Sequence, residues 1–114
     1  MTLNTKVLSV AALVLCCVSE TQAETADECL ERLKKAGEIG LVLDVKLKKF
    51  SAHVVVDEPT WKLIDFNTKT GLSETVDCAI LGPGTHDLDV VFHSNLTDHV
   101  LGTYTRGKLT VEGD

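Results

Sequence analysis

The chain has 114 residues, a net charge of −6 and 25% charged residues, so it lacks the basic stripe that a phosphate backbone requires, and nucleic acid is excluded as an expected partner. Its four cysteines form no CxxC spacing of the kind that builds a zinc framework. No apolar run approaches the roughly 20 residues needed to span a bilayer as a helix, so no membrane span is expected.

The first segment reads as an address label. Lys6 supplies a positive n-region, Val7 to Val18 an apolar h-region and Thr21-Gln22-Ala23 a small-residue cleavage site, which together predict a secretory signal peptide over 1–23. The expected localisation is therefore secreted and extracellular, with 24–114 as a single mature α+β domain. Cys16 and Cys17 leave with the leader, and Cys29 and Cys78 then meet an oxidising compartment where a disulfide between them is the default. Closing that loop would stabilise so small a domain by about 4 kcal/mol in the chain-entropy account.

The mature part opens on a helix. Thr25 and Glu28 stand at capping-box spacing, Ala26, Cys29, Leu30, Leu33 and Ala36 recur at helical steps, and Gly37 is placed to end the segment in the left-handed region. From Leu41 the period drops to two. Leu41, Leu43, Val45 and Leu47 alternate with polar residues, and after a slip at Lys48-Lys49 the apolar set becomes Phe50, Ala52, Val54 and Val56, predicting one long curved strand or a tight pair. Pro59 breaks that pattern. Trp61–Thr68 and Leu72–Leu81 read as further strands, the second with Val76, Cys78 and Ile80 on one face. Gly82-Pro83-Gly84 is a turn, Leu88, Val90 and Phe92 alternate in a short strand, and Asn95–Asp98 turn the chain into a last region interrupted by Gly102 and Gly107. The expected architecture is one N-terminal amphipathic helix packed on a curved antiparallel β-sheet of four to six strands.

Catalytic patterns are absent from the sequence. His53, His86, His93 and His99 share no metal-binding spacing, and Ser51, Ser73 and Ser94 lie in no nucleophile elbow. Asp87 and Asp89 would share one face of a strand, as a solvated edge does. The expectation is a protein without enzymatic activity, cofactor or bound metal. Asn95-Leu96-Thr97 is an N-glycosylation sequon in a turn, so Asn95 is the candidate glycosylation site.

Several predicted strands are apolar on both faces, as at Val54-Val55-Val56, Leu63-Ile64 and Val90-Val91-Phe92, and Phe50, Trp61, Phe66, Phe92 and Tyr104 add aromatic surface. One helix cannot cover both faces. The second would fill a curled core, meet another copy of the chain in a homodimer, or accept an apolar ligand.

The passages Trp61-Lys62-Leu63-Ile64-Asp65-Phe66 and Thr70-Gly71-Leu72-Ser73, with Leu88–Phe92 and Gly102–Leu109, resemble the arthropod takeout and juvenile-hormone-binding proteins and the related mite group 7 allergens over about 50 residues. The resemblance implies a secreted, non-enzymatic protein that holds a lipid or other small hydrophobic ligand between a curved sheet and a helix. It would place Leu72, Val76, Ile80, Leu88, Val90 and Phe92 against that ligand. Members of that family run to about twice this length and end in a long helix, and their early cysteine pair is not reproduced by Cys29 and Cys78. An alternative is a secreted protein-directed effector, such as a venom, salivary or immune component or a protease inhibitor acting on an extracellular target. Pro59 and Trp61 mimic part of a cystatin-like inhibitory loop, but the Q-x-V-x-G wedge is missing.

Overall fold

A computed structural model describes residues 25–112, so the leader expected over 1–23 lies outside the described residues. Within them the chain forms α1 (Ala26–Glu38), β1 (Val42–Lys48), β2 (Ser51–Val56), α2 (Glu58–Leu63), α3 (Phe66–Leu81), β3 (Asp89–Ser94), β4 (Val100–Thr105) and β5 (Lys108–Val111). The fold is α+β. No described helix is long and apolar enough to cross a membrane.

α1 starts on the expected capping box, with Thr25 accepting from the Glu28 N–H and Glu28 reaching back to the Thr25 N–H. Its end differs from expectation. Gly37 stays inside the helix, which closes at Ile39, and the left-handed residue is Gly40 at φ 85°. The slip at Lys48-Lys49 is a tight hairpin: Lys48 pairs with Ser51, Lys49 takes φ 50°, and Phe50 projects from the tip with 86% exposure.

The five strands lie in the order β1-β2-β3-β4-β5, with every neighbour antiparallel except β2 and β3, which run parallel with Ser51 opposite Asp89 and Val56 opposite Ser94. The sheet is therefore mixed, correcting the all-antiparallel expectation. Parallel neighbours cannot be joined by a hairpin and need a crossover. α2 and α3 are that crossover, and they occupy the residues expected to form strands at 61–68 and 72–81.

Local chemistry explains why this stretch is helical. Asp57 caps α2, its side chain accepting from the Thr60 N–H, and Pro59 sits in the first turn, where its missing N–H costs nothing. Asp65 caps α3 by accepting from the Thr68 N–H. In that register Leu72, Val76 and Ile80 form one stripe, four residues apart, which packs on the inward residues Ala52, Val54, Val56, Val90 and Phe92 of β2 and β3. The sheet's apolar face is thus covered from within.

α1 packs chiefly on α3. Cys29 and Cys78 are joined by a disulfide with a Cα–Cα separation of 5.8 Å, and because Cys78 lies in α3, the bridge links two helices instead of a helix and a strand. α1 also reaches the sheet at β1, with Leu33 and Ala36 packed against the core, while α3 reaches β3 and β5, so both helices cover the same face. Among the described residues no helix lies on the far face of the sheet.

Candidate functional site

All six residues that the family resemblance sets against a ligand belong to the core. Leu72, Val76, Leu88, Val90 and Phe92 are buried there, Ile80 packs against them, and none of the six lines either of two surface clefts. Trp61-Lys62-Leu63-Ile64 and Thr70-Gly71-Leu72-Ser73, central to that resemblance, lie in and around α2 and α3.

The first cleft, about 240 Å³, opens beside the disulfide and is lined by Arg32, Glu74, Asp77, Thr85 and His86 among others. Asp77 is 2% exposed; its Oδ1 accepts from the Thr85 hydroxyl at 2.7 Å, while its Oδ2 is sealed from solvent without a hydrogen-bond partner. The neighbouring Tyr104 hydroxyl meets His86 Nδ1 at 3.1 Å. Burial, followed by the charges of Asp77 and Glu74, pushes the Tyr104 phenol up to about 12.

The second cleft is larger, about 330 Å³, and lies where α2, the start of α3 and the ends of β4 and β5 meet. Trp61, Leu101 and Val111 give it apolar walls, and Glu58, Lys62, Lys69, His99 and Glu112 complete it. Trp61 holds its position through packing. Its ring lies 4.8 Å from that of Phe92, centroid to centroid, and against Gly102, where a β-carbon would stand 3.4 Å from Trp61 Cζ2.

Glu58 and Lys62 are already committed to each other. Glu58 Oε2 lies 3.2 Å from Lys62 Nζ, and Glu58 Oε1 accepts from the buried Ser94 hydroxyl. These bonds, the Ser94 one foremost, hold the Glu58 carboxyl below the usual carboxylate range.

Lys69 is different. The residue is 7% exposed, its Nζ stands 5.1 Å from the Trp61 ring centroid, and no carboxylate among the described residues comes within 4.0 Å. The sealed, unpartnered polar atoms among the described residues are Thr70 Oγ1 and Asp77 Oδ2, so the Lys69 ammonium opens on the cleft it lines. Lys69 also occupies the first turns of α3, where the helix dipole disfavours a positive charge. An ammonium that opens on a cleft beside an aromatic wall, with no carboxylate in contact, can receive an anionic group.

The remaining sequence candidates are scattered. His53 and His93 meet on the helix-free face of the sheet, Nδ1 to Nε2 at 2.9 Å, and His93 Nδ1 lies 3.2 Å from the Asp98 carbonyl. No group of three or more metal-ligating side chains forms among the described residues. Asp87 and Asp89 are exposed, Ser73 is bonded to the Lys69 carbonyl, and Ser51 lies 3.5 Å from His53 Nε2. Asn95 is exposed in the β3–β4 turn, where its Oδ1 accepts from the Glu58 N–H and its Nδ2 donates to Asp57.

Lys69 escaped sequence reading because a strand register leaves it unremarkable. In the α3 register it precedes Leu72, Ser73 and Val76 on the buried stripe, and a lysine on such a stripe is the available signal. No family model, curated protein or solved structure matches the chain.

Proposed function

We propose that the chain is a secreted, non-enzymatic binding protein for a small hydrophobic ligand, taken up in the Trp61–Lys69 cleft. The observation that carries this reading is a cleft of about 330 Å³ whose apolar walls are Trp61, Leu101 and Val111, within the size range of small-molecule sites. The ligand site thus lies at one end of the sheet, outside the core residues that the takeout-like resemblance would assign to it.

Trp61 is the sole tryptophan, so its emission reports on this cleft. Titration with the neutral probe N-phenyl-1-naphthylamine should give saturable energy transfer from Trp61, and Val111→Asp should weaken it at least several-fold. A linear, unsaturated response in the wild-type protein would remove the proposal.

Export and glycosylation are part of the same reading. The exported product should begin after Ala23 and carry an N-glycosidase-sensitive mass at Asn95. Unmodified Asn95 would assign that side chain solely to tying the β3–β4 turn to the start of α2.

A protein-directed role is favoured by a different observation, the projecting β1–β2 hairpin, where Leu47 is 61% and Phe50 86% exposed. A stoichiometric extracellular protein partner lost on Leu47→Ser/Phe50→Ser substitution would support that alternative.

A further inference from the structure

We infer that the ligand of the Trp61–Lys69 cleft is an amphipathic monocarboxylic acid whose carboxylate pairs with the Lys69 ammonium while its apolar body lies along Trp61, Leu101 and Val111. This inference rests on the binding reading above and adds the ligand's charge and polarity.

Three observations select the class. First, the Lys69 side chain is more than nine-tenths buried, its ammonium opens on the cleft, and no carboxylate among the described residues lies within 4.0 Å of it. The acid whose titration registers the Lys69 charge, Asp65, is engaged by the Thr68 N–H and hydroxyl at the α3 N-cap. Second, Lys69 stands in the first turns of α3, where the helix dipole disfavours its charge, and the N-cap carboxylate of Asp65 is directed to the Thr68 N–H. Third, the other charges limit that anion. Glu58 and Lys62 line the same cleft paired with each other, which leaves the Lys69 ammonium and the Glu112 carboxylate, so a phosphate dianion would bring more negative charge than the single ammonium offsets. One negative charge on an apolar body fits this balance.

Volume sets the scale. A cleft of about 330 Å³ corresponds to about eleven water volumes at roughly 30 Å³ each, suited to an eight-carbon or single-ring acid but not to a long lipid chain.

The test compares three probes of one chain length, octanoate, 1-octanol and octylammonium, by calorimetry and Trp61 fluorescence at pH 7.4. Octanoate should bind at least about ten-fold more tightly than octanol, and octylammonium should bind most weakly. Lys69→Met keeps an unbranched apolar stem over Trp61, and should reduce octanoate affinity about ten-fold, so that octanoate loses its advantage over octanol. Equal binding of octanoate and octanol to the wild-type protein, or octanoate binding that survives Lys69→Met, overturns the carboxylate inference while the cleft remains a hydrophobic site. Failure of all three probes to bind the wild-type protein overturns the binding reading itself. If Lys69→Met does not fold, the order of the three probes on the wild-type protein decides.

Discussion

The two faces of the sheet are built to different standards. On the inner face Ala52, Val54, Val56, Val90, Phe92 and Tyr104 are each fully buried beneath α2 and α3, and Trp61 fills the space above Phe92 and Gly102. On the outer face His53, Val55, Val91, His93 and Thr103 are only half-buried, next to the exposed Lys46 and Lys48 of β1, and no element among the described residues covers them. One twisted sheet therefore has a jigsaw side, intolerant of changes in volume, and a hydrated side that tolerates them.

Substitutions of comparable position should separate the faces. Trp61→Ala removes the largest buried side chain and should cost about 3–5 kcal/mol, enough to unfold much of a domain of ordinary stability. Val55→Thr on the outer face should cost about 0.5 kcal/mol or less. Urea denaturation of both variants measures the contrast, and equal losses would mean that the outer face is covered in solution.

The disulfide acts among the helices, holding α1 to α3. Replacing Cys29 and Cys78 together with alanine should cost about 2–4 kcal/mol and raise hydrogen exchange in α1 before it rises in β2 and β3. Uniform exchange across the helix and the central strands would show that α1 and the sheet melt as one unit.

Gly102 tests the inner face at its tightest point. An added β-carbon there would lie 3.3 Å from the Thr110 carbonyl oxygen and 3.4 Å from Trp61 Cζ2, so Gly102→Ala should cost about 1–3 kcal/mol through overpacking and shift the Trp61 emission. An unchanged midpoint and spectrum would mean that the indole can retreat toward the cleft.

The same contrast explains what could be read from residues alone. Period-two alternation is unambiguous where one face is dry and the other wet, as in β2 and β3; β1 alternates in the same way, yet Leu43 and Leu47 of its expected apolar face are exposed. The capping box at Thr25 and Glu28 is equally local, and the Cys29–Cys78 pairing followed from the cysteine count. Residues 61–81 resisted because α3, which packs on both α1 and the sheet, is buried on more than one side. Leu72, Ser73, Thr75, Val76, Asp77 and Cys78 are all buried, which erases the amphipathic stripe, and Thr75, Val76 and Ile80 carry the β-branched chemistry of strands. The decisive signals were the caps, Asp57 with Pro59 and Asp65 with Thr68, which outweigh propensity here. Once α3 is missed, the crossover and the parallel β2–β3 pair are missed with it, and Lys69 loses the burial that makes it a candidate ligand partner.

The smallest expected effect belongs to the hydrated face and depends on pH. His53 faces His93 across 2.9 Å, with Lys46 opposite it on β1, Lys48 nearby, and Asp98 on the far side of His93. Burial, then the charge of Lys48 and then that of His93, lowers the His53 pKa below its ordinary value of 6.5. The unfolded chain therefore takes up this proton at higher pH than the folded chain does. The contribution of a neutral His53 to stability is complete above the unfolded value and is lost as pH falls toward the folded one. Thermal melts between pH 7.5 and 5 should show a larger fall in Tm for the wild-type protein than for His53→Gln, which keeps a polar group at that position and cannot acquire the charge. Inner-face variants such as Gly102→Ala should keep the wild-type pH dependence, since no histidine is altered. If His53→Gln and the wild-type protein lose the same Tm over that range, the imidazole pair is hydrated well enough to protonate freely, and the outer face differs from the inner one in packing alone.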